Sequence, residues 1–247
     1  MRNRCHRQTC LDTETESIVL ILLVFKGRTI SVIIPCLNEE EAIGAVLERV
    51  PSYVDEVVVV DNNSSDRTAE VARGHGAKVV REDLRGYGRA YKKGLGVATS
   101  DIVVTLDGDH SYPVDAISYL VEAYDHLGVN FVSASRFPQV SSMAMDFKHL
   151  VGNMVLSFVM SILFLHRVRD SQSGMWVLSR RALEKMKLES NGMAFSEEIK
   201  AEAILNKAIG FREIPILYSS RIGREKLLPW QDGWANLVFL FKKRFFR

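Results

Sequence analysis

Residues 101–113 read DIVVTLDGDHSYP, and this stretch decides how the chain is to be read. Ile102, Val103, Val104 and Leu106 form an apolar run too short for a helix, and it stops abruptly at Asp107, Gly108 and Asp109. Such a run suits a strand buried on both faces of a parallel sheet. Open α/β sheets bind ligands beyond the carboxyl ends of their strands, so Asp107 and Asp109 stand where a ligand arrives. Two carboxylates flanking a glycine suit a hard divalent cation whose shell is completed by phosphate oxygens. Asp and Gly are also ordinary turn formers, so the rest of the chain has to choose.

Around that run, strands and helices alternate. Ile30 to Ile34 reads as a strand stopped by Pro35. Asn38 is placed to cap a helix over about Glu40 to Val50, whose Ala42, Ile43, Val46, Leu47 and Val50 share one face. Val57 to Val60 is a strand ending in Asp61. Ser65 or Asp66 caps a short helix closing at Gly74 and Gly76, and Ala77 to Val80 is a further strand. Pro113 suits the first position of a helix running to about Leu127, followed by a strand from Phe131 to Ala134 that ends near Arg136. This order predicts an α/β fold, a three-layer αβα sandwich around a mostly parallel, Rossmann-like sheet.

Three polar clusters fall on one rim of that sheet: Pro35 to Glu39, Asp61 to Asp66, and Asp107 to Asp109. Between the last two lies RGYGRAYKKG, Arg85 to Gly94. Its Gly86 and Gly88 permit close backbone approach, and its basic residues could neutralise phosphate. It is no dinucleotide fingerprint, because Tyr91 stands where a third glycine belongs. For the basic residues, a solvated charge run remains the plainer alternative.

With 247 residues and 47% hydrophobic content, the chain has material for one large domain or two small ones. A formal net charge of +2 argues against a nucleic-acid binder. Cys5, Cys10 and Cys36 make no disulfide framework and fit a reducing, cytoplasmic setting. Cys5, His6 and Cys10 lack a fourth ligand for a closed metal site. Residues 1–28 read as an extension outside the core fold. Their apolar run, Ile18 to Phe25, is eight residues, far below the roughly 20 needed to span a bilayer.

SVIIPCLNEEEAI, VVVVDNNSSDRTAEVA, GYGRAYKKGLGVATSDIVVTLDGD, SASRF, RVRDSQSGMWVLSRRALEKM and IPILYSSRIGREKL occur in this order. In these motifs the chain resembles family-2 glycosyltransferases of the GT-A fold. Within that family it is similar to polyprenyl-phosphate sugar synthases such as the dolichyl-phosphate mannose and glucose enzymes. The resemblance covers about Thr29 to Phe241. It implies that Pro35, Asn38, Glu39 and Asp61 hold the nucleotide. It makes Asp107 and Asp109 the DxD pair for Mg2+ or Mn2+, with Asp109 the direct ligand. Arg136, Lys148, Arg221 and Lys226 match basic positions facing the donor diphosphate or a lipid phosphate. Asp170 lies in an Asp-x-x-Ser-Gly motif near the sugar, and Glu198 matches an acidic residue on a following helix. Three departures stand out: Asn62 for a common second aspartate, Ser111 for a metal-binding glutamine, and Met175-Trp176 for Phe-Arg.

The chemistry expected is inverting hexosyl transfer from a nucleotide-diphospho-sugar to a polyprenyl or dolichyl phosphate. Cleavage of the sugar–diphosphate bond builds negative charge on the leaving group, which a divalent cation and fixed Lys or Arg groups stabilise. A phosphate monoester acceptor is already ionised at neutral pH and needs positioning rather than a base. A hydroxyl acceptor on a polysaccharide or glycolipid needs a base, for which Asp170 and Glu198 are the candidates. A non-catalytic nucleotide-binding, membrane-recruiting module is the alternative outside enzymes. Leu150 to His166 reads as a core or interfacial helix, no stretch having the length and apolarity of a membrane span. Residues 230–247 follow the 29–229 domain as an amphipathic helix. Trp230, Trp234, Leu237, Val238, Phe241 and Phe245 recur at helical spacing beside Lys242, Lys243, Arg244 and Arg247. That pattern predicts peripheral docking on the cytoplasmic face of a membrane.

Overall fold

The computed structural model describes residues 27–138, 147–223 and 229–246. The N-terminal apolar run, Cys5, His6, Cys10, Lys226, Arg247 and the side chain of Trp230 lie outside them. Seven strands form one sheet: β1 (Ile30–Cys36), β2 (Glu56–Asp61), β3 (Lys78–Arg81), β4 (Ile102–Thr105), β5 (Phe131–Ser135), β6 (Trp176–Ser179) and β7 (Phe211–Pro215). Their order is β3-β2-β1-β4-β6-β5-β7. β6 runs antiparallel to both β4 and β5, and the other pairings are parallel. Helices α1 (Ile43–Glu48), α2 (Thr68–Gly74), α3 (Tyr87–Val97), α4 (Ala116–His126), α5 (Phe147–Phe164), α6 (Arg180–Leu183), α7 (Phe195–Leu205) and α8 (Pro229–Phe245) surround the sheet. Ile30, Val32 and Ile34 pack into one core layer and Ile33, Val58 and Val60 into the other. That two-sided burial is what a continuous apolar run in a central parallel strand requires.

Pro35 does not stop β1. Ile33 O accepts from Leu106 N at 3.2 Å, so Ile33 faces β4. Pro35, two residues on, faces the same side beyond the last β1–β4 pair, Ile33 and Thr105, so its missing N–H forfeits no ladder bond. Helix α1 ends at Glu48, short of its apolar pattern, because the N–H groups of Arg49 and Val50 bond three residues back, to Val46 O and Leu47 O. Asn38 is not its cap: the Asn38 side chain instead accepts from Ser65 N at 2.8 Å. The IPILYSSRIGREKL motif begins in β7, which ends at Pro215.

The glycines of RGYGRAYKKG make a close approach within the chain itself. The segment is helix α3. A Cβ at Gly86 would stand 2.5 Å from Asn191 O, and one at Gly88 2.4 Å from Ser190 O. Their close approach is to the chain's own 190–191 backbone.

The C-terminal helix is not a free tail. α8 packs on α5 through Leu240, Leu156, Met160 and Phe164. Lys243, expected among the cations that dock the helix on a membrane, is buried on Glu198 and Glu202 at 3.1 and 2.9 Å. α5 likewise corrects the sequence reading. With 18 residues and a mean hydropathy of 1.6 it is long and apolar enough to cross a membrane by length and composition, although only 28% of it is buried.

Candidate active site

The three clusters meet because β2, β1 and β4 are adjacent and parallel, so their carboxyl ends share one rim. Asp61, buried, accepts from Ser64 N at 3.0 Å and lies 3.7 Å from the Arg81 guanidinium. Asn38, with φ 53°, holds this loop from the β1 side, its N–H donating to Ser64 Oγ. Asn62 has a reason of its own to differ from aspartate. Its Nδ2 donates to Glu82 O and Leu84 O and its Oδ1 accepts from Gly86 N, so it ties down the loop before α3. A carboxylate has no hydrogen to donate there.

Asp109 is buried, and its Oδ1 accepts from the N–H and hydroxyl of Ser111. Its Oδ2 lies 3.1 Å from Arg221 Nη2, which also stands 3.6 Å from Glu39 Oε1. Backbone bonds from Ile222 N to Asp109 O and from Ser219 N to Ser111 O lay the 219–222 segment across this rim. Arg221 Nε is buried with no hydrogen-bond partner among the described residues. Asp107 accepts from the Tyr91 hydroxyl at 3.0 Å. Burial and the neighbouring Asp109 carboxylate push Asp107 up to about 7, a penalty that a bound cation relieves.

Asp170 sits at the end of β5, fully buried. Arg136 grips it with Nε and Nη2, both at 2.8 Å, and with its backbone N–H at 2.9 Å. Asn153 of α5 donates to the same carboxylate at 2.9 Å. Burial alone would raise this carboxyl, but the Arg136 guanidinium holds it well below the usual carboxylate range. Arg136 in turn lies 5.3 Å over the Tyr218 ring. The following loop is pulled toward Asp107: Gly174 N donates to Tyr112 Oη, and a Cβ at Gly174 would meet Tyr87 Oη at 2.4 Å and Asp107 Oδ1 at 3.2 Å.

The structure therefore brings together Pro35, Asn38, Glu39, Asp61, Asp107, Asp109 and Arg221 on one rim, with Arg136 and Asp170 at the end of β5, beyond β6. It does not bring in Glu198. That carboxylate is taken by the N–H groups of Glu189 and Ser190 and by Lys243, so it holds a loop and α8 rather than a ligand. Lys148 is exposed in the first turn of α5. Trp176 is core: its ring packs with Tyr91, Phe131 and Phe195.

Sequence reasoning missed a buried polar scaffold behind Asp170. Lys200 Nζ donates to Asp170 O and Ser173 O, Gln172 Nε2 donates to Glu197 Oε1, and Asn236 of α8 donates to Gln172 Oε1. Burial pulls Lys200 down to about 8 and pushes Glu197 up to about 8. The charges of FSEEIK sit on α7, which is buried nearly all round. The legible signal was Asn153, Ser157 and Ser161 at four-residue spacing in an apolar helix.

Among the described residues no group of three or more His, Cys, Asp or Glu is arranged to hold an ion. The donor set is the carboxylate pair Asp107 and Asp109, which fits a hard cation that draws its other oxygens from phosphate and water.

A family model described as Glycosyl transferase family 2 matches residues 31–187, the span carrying the rim and Asp170. The chain belongs to this family. The low-salt glycan biosynthesis hexosyltransferase Agl6 of Haloferax volcanii is 33% identical over 220 residues, 86% of this chain and 53% of Agl6, so the chain spans about half of that relative's length. A dolichyl-phosphate hexose transferase of the same organism is 31% identical over 83% of this chain and 90% of its own. Among solved structures, glucosyl-3-phosphoglycerate synthase from Mycobacterium tuberculosis, in complex with Mn2+, UDP and phosphoglyceric acid, aligns with a TM-score of 0.74 at 23% identity, covering 92% of this chain and 82% of that one. This family-2 glycosyltransferase thus has the GT-A fold.

Proposed function

We propose that this glycosyltransferase moves a hexosyl unit from a nucleotide-diphospho-sugar to the phosphate of a polyprenyl or dolichyl phosphate. The carrying observation is that the two carboxylates that could serve as a base, Asp170 and Glu198, are each held by a fixed cation. Asp170 is neutralised by Arg136 and held by Asn153, and Glu198 faces Lys243. A phosphate acceptor, already ionised, needs only to be held in line behind the anomeric carbon. Two relatives bear names of this kind, the dolichyl-phosphate hexose transferase above and a dolichol-phosphate mannosyltransferase of Pyrococcus furiosus.

Asn38, Glu39 and Asp61 are placed to orient base and ribose at the β1 and β2 ends. Asp107 and Asp109 would hold Mg2+ or Mn2+, which supplies charge for the departing diphosphate. Arg221, whose Nη2 bridges Asp109 and Glu39, would stabilise the phosphates as the leaving group gains charge. Arg136, fixed by Asp170 and stacked on Tyr218, positions the acceptor phosphate. The test is a panel of nucleotide sugars with polyprenyl phosphate, free glycan and phosphoglyceric acid as acceptors, with products identified by mass spectrometry. A polyprenyl-phosphate hexose is expected; transfer to a hydroxyl acceptor with none to polyprenyl phosphate would refute the proposal.

A further inference from the structure

We infer that the outer faces of α5 and α8 together form a docking surface for a bilayer carrying anionic lipid. α5 is apolar on both sides: Leu156, Met160 and Phe164 pack inward with Leu240, and a second apolar row faces outward. Its inward face carries Asn153 and Ser157, both buried and bonded to Asp170 and Ser171 N. Its outward face carries Val151, Met154, Val155, Phe158 and Ile162, with Leu165 just beyond its end, all exposed by 42% or more. An exposed apolar row along a helix whose buried polar groups are all paired inside matches an outer neighbour that is lipid. Eighteen residues make this stripe about 27 Å long.

α8 extends it. Arg244 donates to Leu163 O, which sets the Phe241, Phe245 and Phe246 end of α8 beside the end of α5. Apart from Asp232 in the first turn of α8, the charges that the two helices carry are basic. No Asp or Glu occurs from Phe147 to Arg169 or from Gly233 to Phe246, whereas Lys148, Arg167, Arg169, Lys242 and Arg244 are exposed. An apolar stripe flanked mainly by cations matches an anionic lipid surface. The helix lies on that surface rather than through it, because its inner face is committed to the Asp170 cluster. The same helix therefore links the headgroup plane to the carboxylate that fixes Arg136. The inference deepens the proposed function, since a lipid-linked phosphate would reach the site in this plane.

The experiment uses the full chain and vesicles free of nucleotide sugar and polyprenyl phosphate, so docking is judged apart from the acceptor. Co-sedimentation is expected with phosphatidylglycerol-containing vesicles, less with phosphatidylcholine alone, and less again at high salt. Phe158→Glu with Ile162→Glu lowers the partition at least about tenfold, with unchanged circular dichroism. Tyr119→Glu, on the exposed face of α4, sediments as wild type. If the α5 pair fails to fold, Trp234→Glu with Phe245→Glu on α8 gives the same readout. The inference is overturned if a folded variant binds as wild type, if wild type does not bind, or if the pair instead dissociates a soluble dimer. Intact vesicle binding with no transfer to polyprenyl phosphate would sink the acceptor assignment alone.

Discussion

Replacing Arg136 with Gln should strip a fully buried carboxylate of its counter-ion. Asp170 receives five hydrogen bonds, three of them from Arg136, and two of those are charge-assisted side-chain bonds at 2.8 Å. Losing two bonds of that type removes roughly 3–6 kcal/mol, and breaking a buried pair from one side destabilises by about 3–5 kcal/mol. About 4 kcal/mol is therefore expected at pH 7, a drop of about 8–16 °C in Tm for a domain of this size. The pH dependence follows from the direction of the shift. In the wild type Asp170 is held well below its ordinary value, so it adds stability above an unfolded pKa of about 3.9 and loses it as pH falls. In the variant, burial without a partner raises the same group above that value, which penalises neutral pH and is relieved by acid. The gap between the two proteins should thus be widest near neutrality and narrow toward pH 4. Urea unfolding at both pH values measures it, and Arg136→Gln with Asp170→Asn should recover part of the loss. A single variant within about 1 kcal/mol of wild type at pH 7, or a gap that widens in acid, would refute the reasoning.

Asp109→Asn should abolish transfer while leaving the far-UV circular dichroism unchanged, and excess chelator should do the same to the wild type; full activity under either condition counts against the DxD assignment. Arg221→Ala should lower kcat or raise the apparent acceptor KM, with less effect on donor hydrolysis in the absence of acceptor. Asn62→Asp places a charge against Glu82 O and Leu84 O, so thermal melts should show a loss of about 2–3 kcal/mol; a melt like wild type would mean this loop tolerates the change. Gly88→Ala pushes a methyl against Ser190 O and should destabilise by about 1–3 kcal/mol, read in the same assay.

Short β-branched runs ending in Asp61 and Asp107 specify parallel strands and put carboxylates at their ends, because strand period and burial are local properties of sequence. Asp61, Asp107 and Asp109 are therefore legible from the chain alone, and the order of the motifs adds Arg136 and Arg221. What only the tertiary structure decided is who faces whom. A helix buried on every side and one solvated on its polar face share the same charged letters. FSEEIK therefore conceals the buried Lys200 and Glu197, and Glu198 passes for a ligand residue until its partners in the 189–190 backbone and Lys243 are seen. Gly86 and Gly88 announce a close backbone approach in sequence, but whether to a phosphate or to Ser190 and Asn191 depends on contacts about a hundred residues apart along the chain. The outward apolar face of α5 is hidden for the same reason. Composition says how apolar a helix is, and packing alone says which side of it is left for something else to cover.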